Sequence, residues 1–83
     1  MIPYNILSAK KYKSGRIEAT VTFITEQGDI PITFHLTHPS HIFVIDSIGV
    51  CYPDSLVVVA LDLVLHTGEL LRAVENVATM EGK

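Results

Sequence analysis

The sequence has little of what several functional classes require. It contains one cysteine, no tryptophan and only 18% charged residues. A single cysteine excludes a disulfide scaffold and a zinc module held by several thiolates. The net charge of −3 and the pI near 5.7 argue against general electrostatic attraction to nucleic acid or to anionic membranes.

The sequence also predicts no targeting segment and no membrane segment. The N-terminus has no basic region followed by a long apolar one, so no signal peptide is predicted. The most apolar stretch, Leu56–Leu65, is much shorter than the roughly 20 residues that span a bilayer as a helix. We therefore expect a cytoplasmic protein with no membrane segment, and an unpaired thiol fits that reducing compartment.

What the chain does contain is enough apolar residues for one small folded unit. A hydrophobic content of 48% excludes a disordered tail. With 83 residues and a mass of 9.1 kDa, we expect a single domain over 1–83 with a thin core. Ligand pockets have volumes of about 300 Å³ or more, and we do not expect one in a chain of this size.

Strict alternation of apolar and polar residues over 16–25 and 30–37 predicts two half-buried strands. The four residues between them would form a hairpin loop that includes Gly28. This register puts apolar residues opposite each other on one face, as burial of that face requires. The predicted partners are Thr25 with Ile30, Phe23 with Ile32, Val21 with Phe34, and Ala19 with Leu36.

The neighbouring segments extend these two strands into a meander. A weaker strand is predicted over 4–12, joined to the next by a three-residue loop that ends at Gly15. Its register sets Leu7 opposite Val21 and Ala9 opposite Ala19. The short apolar run 42–45 predicts an extended segment, either a fourth strand or a single helical turn.

The two faces of this sheet differ in polarity. The face away from the core would carry Thr20, Thr22, Thr33 and His35, whose polar side chains can be exposed to water. Pro31 cannot donate a ladder hydrogen bond, which favours an edge strand or an amide position directed to solvent.

The C-terminal third is predicted to be a helix over about 54–80, with a break at Thr67–Gly68. A short polar cap residue precedes the apolar run, and polar residues recur at steps of three, four or seven along one side. The competing interpretation makes 56–65 a buried strand, because valine favours sheets. With the helix, the fold class is α+β: a small antiparallel meander of three or four strands, over about 4–46, packed by a C-terminal apolar helix.

The 56–65 segment predicts an interaction surface in either conformation. As a helix it is apolar nearly all round, and as a strand it is apolar on both faces. One small sheet covers only one side, so a second copy of the chain or another protein must cover the other. A homodimer is the first choice of assembly. The predicted interface residues are Leu56, Val57, Val58, Val59, Leu61 and Leu65.

A basic cluster gives the alternative function, a nucleic-acid or phosphate-binding accessory module. The first sixteen residues carry +4 and the rest of the chain −7. A basic hairpin tip with a tyrosine could hold phosphates and stack on a base, or it could be a solvated turn that discourages edge pairing. The charge asymmetry also suits contact between copies or with an acidic protein. The candidate contact residues are Lys10, Lys11, Tyr12, Lys13 and Arg16.

Three further candidates carry weaker signals. His35, His38 and His41 have a spacing that places neighbours on opposite sides of an extended chain, so we predict no metal site. The simplest interpretation of Cys51 is a small core residue. The simplest interpretation of Asp62 and His66 is a pair in contact on the helix surface. No nucleophile motif or phosphate-binding loop is present, so we predict no catalytic residue and no cofactor.

The sequence therefore favours a non-catalytic protein–protein interaction protein that self-associates. It would act as a small accessory, assembly or inhibitor protein. A small meander followed by an apolar helix also occurs in compact accessory proteins encoded by viruses and mobile elements. This similarity concerns the arrangement of the elements only and assigns no residue a role.

Overall fold

The computed structural model describes residues 2–37, 42–50 and 52–80. In chain order the elements are β1 (Tyr4–Lys11), β2 (Ile17–Thr25), β3 (Gly28–Leu36), β4 (Phe43–Ile48), α1 (Pro53–Val77) and β5 (Thr79–Met80). The strands form one sheet in the order β4–β3–β2–β1–β5. The predicted α+β fold is confirmed: β1 to β4 form an antiparallel meander, and one helix follows. The helix ends at Val77 and not at about residue 80 as predicted, and Thr79–Met80 instead form the short β5, parallel to β1.

The core lies between one face of the sheet and α1. Burial alternates strictly along β2 and β3, because successive side chains of a strand point to opposite faces. The alternation in the sequence predicts the correct face for these apolar positions. The buried apolar residues are Ala9, Ile17, Ala19, Val21, Phe23, Ile30, Ile32, Phe34 and Leu36 of the sheet with Val59, Leu63, Leu70 and Val74 of the helix.

The predicted register of the β2–β3 hairpin is wrong by two residues. Phe23 lies opposite Ile30, and the strands continue to a pair between Thr25 and Gly28. The loop is therefore the two residues Glu26 and Gln27, and Gly28 has φ 123°. Because side chains alternate with period two, a shift of two leaves every residue on the same face. Apolar alternation alone cannot distinguish the two registers.

The β1–β2 hairpin agrees with prediction at the loop and differs inside the strand. Ala9 faces Ala19 as expected, and Gly15 at the turn has φ 91°. Leu7 was expected opposite Val21, but Ile6 takes that place. The register shifts between Ile6 and Ser8, and Leu7 is left 63% exposed at this bulge.

Pro31 occupies an inner strand, so the predicted edge position is wrong. Its carbonyl oxygen accepts a hydrogen bond from the Gly49 amide at 2.8 Å, just beyond β4. The nitrogen and carbonyl of one strand residue point to the same side, so the proline nitrogen faces the end of β4. The β2–β3 ladder therefore loses no hydrogen bond to the proline.

The 56–65 segment is helical, and the strand alternative is wrong. The helix begins after Tyr52, which makes no side-chain capping bond, and Pro53 occupies its first turn. The helical geometry is interrupted at His66 (φ −125°, ψ 21°), one residue before the predicted break. The Thr67 hydroxyl donates to the Leu63 carbonyl, a side-chain bond that bends helices.

Candidate interaction surface

The face of α1 that packs on the sheet is a narrow stripe. Its buried residues recur mostly at steps of four: Ser55, Val59, Leu63, Leu70 and Val74. Of the predicted interface residues, Val59 belongs to this stripe and is fully buried in the chain's own core. Val59 therefore contributes nothing to the exposed surface of the helix.

Two polar side chains of α1 hold the helix to the rest of the chain. The Ser55 hydroxyl donates to the Gln27 side-chain oxygen in the β2–β3 loop. Asp62 Oδ1 accepts a hydrogen bond from the Ile2 amide at 3.1 Å, which ties the segment before β1 to the helix. These two residues of the predicted polar side thus lie in or beside the buried stripe, whereas Glu69, Arg72 and Asn76 of the same side are exposed in the second half of α1.

The outer surface of the first half of α1 is apolar, and we call these residues the outer stripe. Each of its five side chains is more than half exposed: Val57 59%, Val58 53%, Leu61 60%, Val64 79% and Leu65 75%. Four of them were predicted, and Val64 was missed. The spacing of seven between Val57 and Val64 places both on one side of a helix and could have identified it. Leu56, also predicted, lies at the margin and is 37% exposed.

The second half of α1 exposes mostly polar residues. Beyond His66, the exposed positions are Gly68, Glu69, Arg72, Glu75, Asn76 and Val77. His66 Nδ1 lies 3.6 Å from Glu69 Oε1 on this side. The apolar outer stripe is therefore bounded towards the C-terminus by polar side chains.

A cleft of about 250 Å³ continues the apolar surface from α1 to the sheet. It forms because the helix leaves part of β3 and β4 uncovered, and Ile45 and Ile48 remain 41% and 40% exposed. Leu56 and Val64 form part of its helical wall. The outer stripe and this cleft together make one continuous apolar region.

The predicted basic tip is exposed, but an acidic residue lies within it. Glu18 Oε1 accepts from Arg16 Nε at 3.0 Å, and Glu18 Oε2 accepts from the Tyr12 hydroxyl at 3.1 Å. Lys10 lies opposite Glu18 in the β1–β2 ladder, while Lys11 and Lys13 are exposed. The carboxylate offsets part of the positive charge, so the geometry adds no support for phosphate binding, which stays a prediction.

The histidine and cysteine candidates are only partly described. His35 Nδ1 lies 2.8 Å from Asp46 Oδ2 across the β3–β4 pair. His38, His41 and Cys51 lie outside the described residues. Within the described ranges, no group of three or more histidine, aspartate or glutamate side chains is arranged to hold a metal ion.

The structure contains a larger cleft than we expected for a chain of this length. It has a volume of about 440 Å³ and lies between the segment before β1, the β2–β3 loop and the first turn of α1. Asp54, Ser55 and Glu26 supply polar groups there. The Ser55 hydroxyl donates to an amide oxygen and not to a base, so this contact does not activate it as a nucleophile.

Comparisons with protein-family models, curated proteins and solved structures found no match to this chain. Among the described residues, no helix combines the length and hydropathy that crossing a membrane requires. The candidate surface is therefore described by its own geometry alone.

Proposed function

We propose that this chain is a non-catalytic protein–protein interaction protein that self-associates through the outer stripe of α1. In this role it would be a small cytoplasmic accessory, assembly or inhibitor protein. The observation that carries the proposal is the row of five apolar side chains along one helix, each more than half exposed. Isolated exposed apolar residues are common, but a continuous apolar patch on a helix is typical of an interface.

The energetic case follows from the area left exposed. Complete burial of a valine or leucine side chain contributes about 1.5–3 kcal/mol relative to full exposure. Because the outer-stripe side chains are already partly covered, a partner would contribute on the order of 1 kcal/mol for each. In a symmetric pair, each of the two chains makes five such contributions. Their summed free energy is comparable with the entropic cost of association.

The cleft beside the outer stripe supports the same proposal. Its lining is almost wholly apolar, and it opens beside Val64 at the edge of the outer stripe. An apolar side chain from a partner helix could enter it while the stripe is covered. Interfaces of this kind have buried apolar centres with polar margins, as the polar second half of α1 would provide.

A pair of matched variants tests the proposal. Leu61→Glu places a charge in the outer stripe, and Leu7→Glu places the same charge at a leucine of similar exposure, 60% against 63%, on a different element. We expect Leu61→Glu to lower the mass measured by light scattering from that of a dimer to that of one chain. We expect Leu7→Glu to leave the dimer mass unchanged.

Circular dichroism of both variants checks that the fold is retained. The proposal is wrong if the unmodified chain is a monomer at every concentration tested. It is also wrong if both folded variants keep the same mass as the unmodified dimer.

A further inference from the structure

We infer that the outer stripe of each copy packs on an open strip of the other copy's sheet, so that each α1 lies between two sheets. The open strip is the part of β4 that faces the cleft beside α1, and its residues are Phe43, Ile45 and Ile48. This inference rests on the proposed self-association, and it identifies the surface that the outer stripe contacts.

The first half of α1 is apolar on two opposite sides. Residues two apart differ by about 200° around a helix, so they point in nearly opposite directions. Val59 is buried against the sheet, and Leu61 is exposed on the outer side. Leu63 and Leu65 repeat this pair about one turn later. A helix with two opposite apolar sides fits between two apolar layers, and the chain's own sheet is one of them.

The sheet has room for a second helix on the side of β4. The helix α1 packs over β1 and β2, and the helix-side residues of β3 are at most 3% exposed. On β4, Ile45 and Ile48 are left much more exposed. Packed helices lie about 8–10 Å apart, which is about two strand spacings, so a helix beside α1 would lie over the open strip.

The side of α1 that faces this position is uncharged. It carries four residues at steps of three or four, all of which line the cleft: Leu56, Ala60, Val64 and Thr67. The distance between packed helices depends on the side chains in contact, and the small Ala60 allows a close approach. A second helix therefore meets an uncharged surface, and no ion pair is needed to align it.

A twofold axis that runs parallel to the two helices, midway between them, satisfies both surfaces. It places α1 of the second copy beside α1 of the first, with its outer stripe on the open strip. The same rotation places the second sheet over the outer stripe of the first copy. The outer stripe thus contacts the open strip twice, as a twofold interface requires. Stacking one outer stripe on the other would leave both open strips exposed.

The area that a stable dimer needs also favours this arrangement. Stable interfaces bury about 800 Å² per chain, of which about 500 Å² is apolar. A fully exposed valine or leucine side chain presents on the order of 100 Å², so the outer stripe offers about 300 Å² at its observed exposures. In the cleft, Ile45, Ile48 and Leu56 are 37–41% exposed and add about 120 Å². The outer stripe alone falls short, and the two surfaces together approach the required area.

Mixing two variants tests which surfaces meet. Leu61→Glu places a negative charge in the outer stripe, and Ile45→Lys places a positive charge in the open strip. In a dimer of either variant alone, both contacts contain the introduced charge. We therefore expect at least tenfold weaker association by sedimentation than for the unmodified chain.

A dimer that contains one chain of each variant differs from both. One of its contacts is unmodified, and the other sets the introduced carboxylate opposite the introduced ammonium group. We expect the equimolar mixture to associate at least tenfold more strongly than either variant alone.

Ile24→Lys is the matched control for Ile45→Lys. Ile24 is 40% exposed against 41% for Ile45, and it lies on the face of the sheet away from α1. We expect this control to associate as strongly as the unmodified chain. Circular dichroism checks that each variant is folded. If Ile45→Lys does not fold, Ile48→Lys in the same open strip takes its place.

The outcomes distinguish this inference from the proposed function. If Leu61→Glu prevents dimerisation but folded Ile45→Lys dimerises like the unmodified chain, the open strip is left for a different protein and the inference is wrong. It is also wrong if the mixture of the two folded variants associates no more strongly than each alone. Self-association through the outer stripe stands in both cases. If the unmodified chain does not dimerise, the proposed function fails and the inference fails with it.

Discussion

The two halves of α1 bury the same kind of surface and expose opposite kinds. Val59 and Leu63 pack on the sheet in the first half, as do Leu70 and Val74 in the second. Outwards, the first half presents the apolar outer stripe and the second presents polar residues. Since both halves belong to one helix on one sheet, the requirements of the fold do not account for the difference. It is explained if the first half is covered by another molecule.

The outer face of the sheet provides a second contrast. It too is uncovered, but most of its side chains on β2 and β3 are polar and some of them contact each other; Ile24 and Pro31 are the apolar ones. The Thr20 and Thr33 hydroxyls lie 3.2 Å apart, and His35 contacts Asp46. This face thus carries mainly polar residues, whereas the outer stripe is a row of five exposed apolar side chains.

The largest expected difference in the free energy of unfolding is between alanine variants of two leucines on opposite sides of α1. Leu70→Ala removes a fully buried side chain and should lower the free energy of unfolding by about 2–5 kcal/mol. Leu65→Ala removes one that is 75% exposed and should lower it by less than about 1 kcal/mol in dilute solution.

Urea denaturation at low protein concentration measures both leucine variants without a contribution from self-association. Equal losses for the two variants would show that the outer stripe is packed within the chain, which contradicts the contrast between the two sides.

The same comparison can be made between a glycine at a packed position and one at an open position. We expect the larger change in the free energy of unfolding at the packed one, Gly49. A Cβ atom there would lie 2.6 Å from both Cγ and Cδ of Pro31, so the proline ring has to move. We expect Gly49→Ala to lower the free energy of unfolding by about 1–3 kcal/mol. In a Pro31→Ala background the loss should be smaller, and an unchanged loss would show that the ring is not the cause.

Gly68 is the open counterpart. A Cβ atom there would have no neighbour within 4 Å inside the chain, and the position is helical. Glycine costs about 1 kcal/mol relative to alanine inside a helix. We expect Gly68→Ala to raise the free energy of unfolding by about that amount at low protein concentration. A loss of stability would mean that the helix does not continue through this position as described.

The sequence predicted the faces of the sheet better than its registers. Alternation over β2 and β3 identifies the side on which Phe23 and Ile32 lie, because that assignment depends only on odd and even positions. The partner of each residue depends on the loop, and two- and four-residue loops both preserve the pattern. The bulge at Leu7 and the two-residue β5 leave no comparable periodic signal.

The candidate surface was predicted in outline and corrected in detail. An apolar run of ten residues shows that more apolar surface exists than one sheet can cover. It does not show which side the sheet takes, so Val59 was assigned to the interface and Val64 was not. Ser55 and Asp62 contact Gln27 and Ile2, which are distant in sequence and could not be identified as partners from helical spacing.

Sedimentation equilibrium of the unmodified chain measures whether two copies associate. We predict a mass near twice 9.1 kDa at high concentration, falling towards 9.1 kDa on dilution as the outer stripes separate. A mass of 9.1 kDa at every concentration would show that the exposed apolar side of α1 does not bring two copies together.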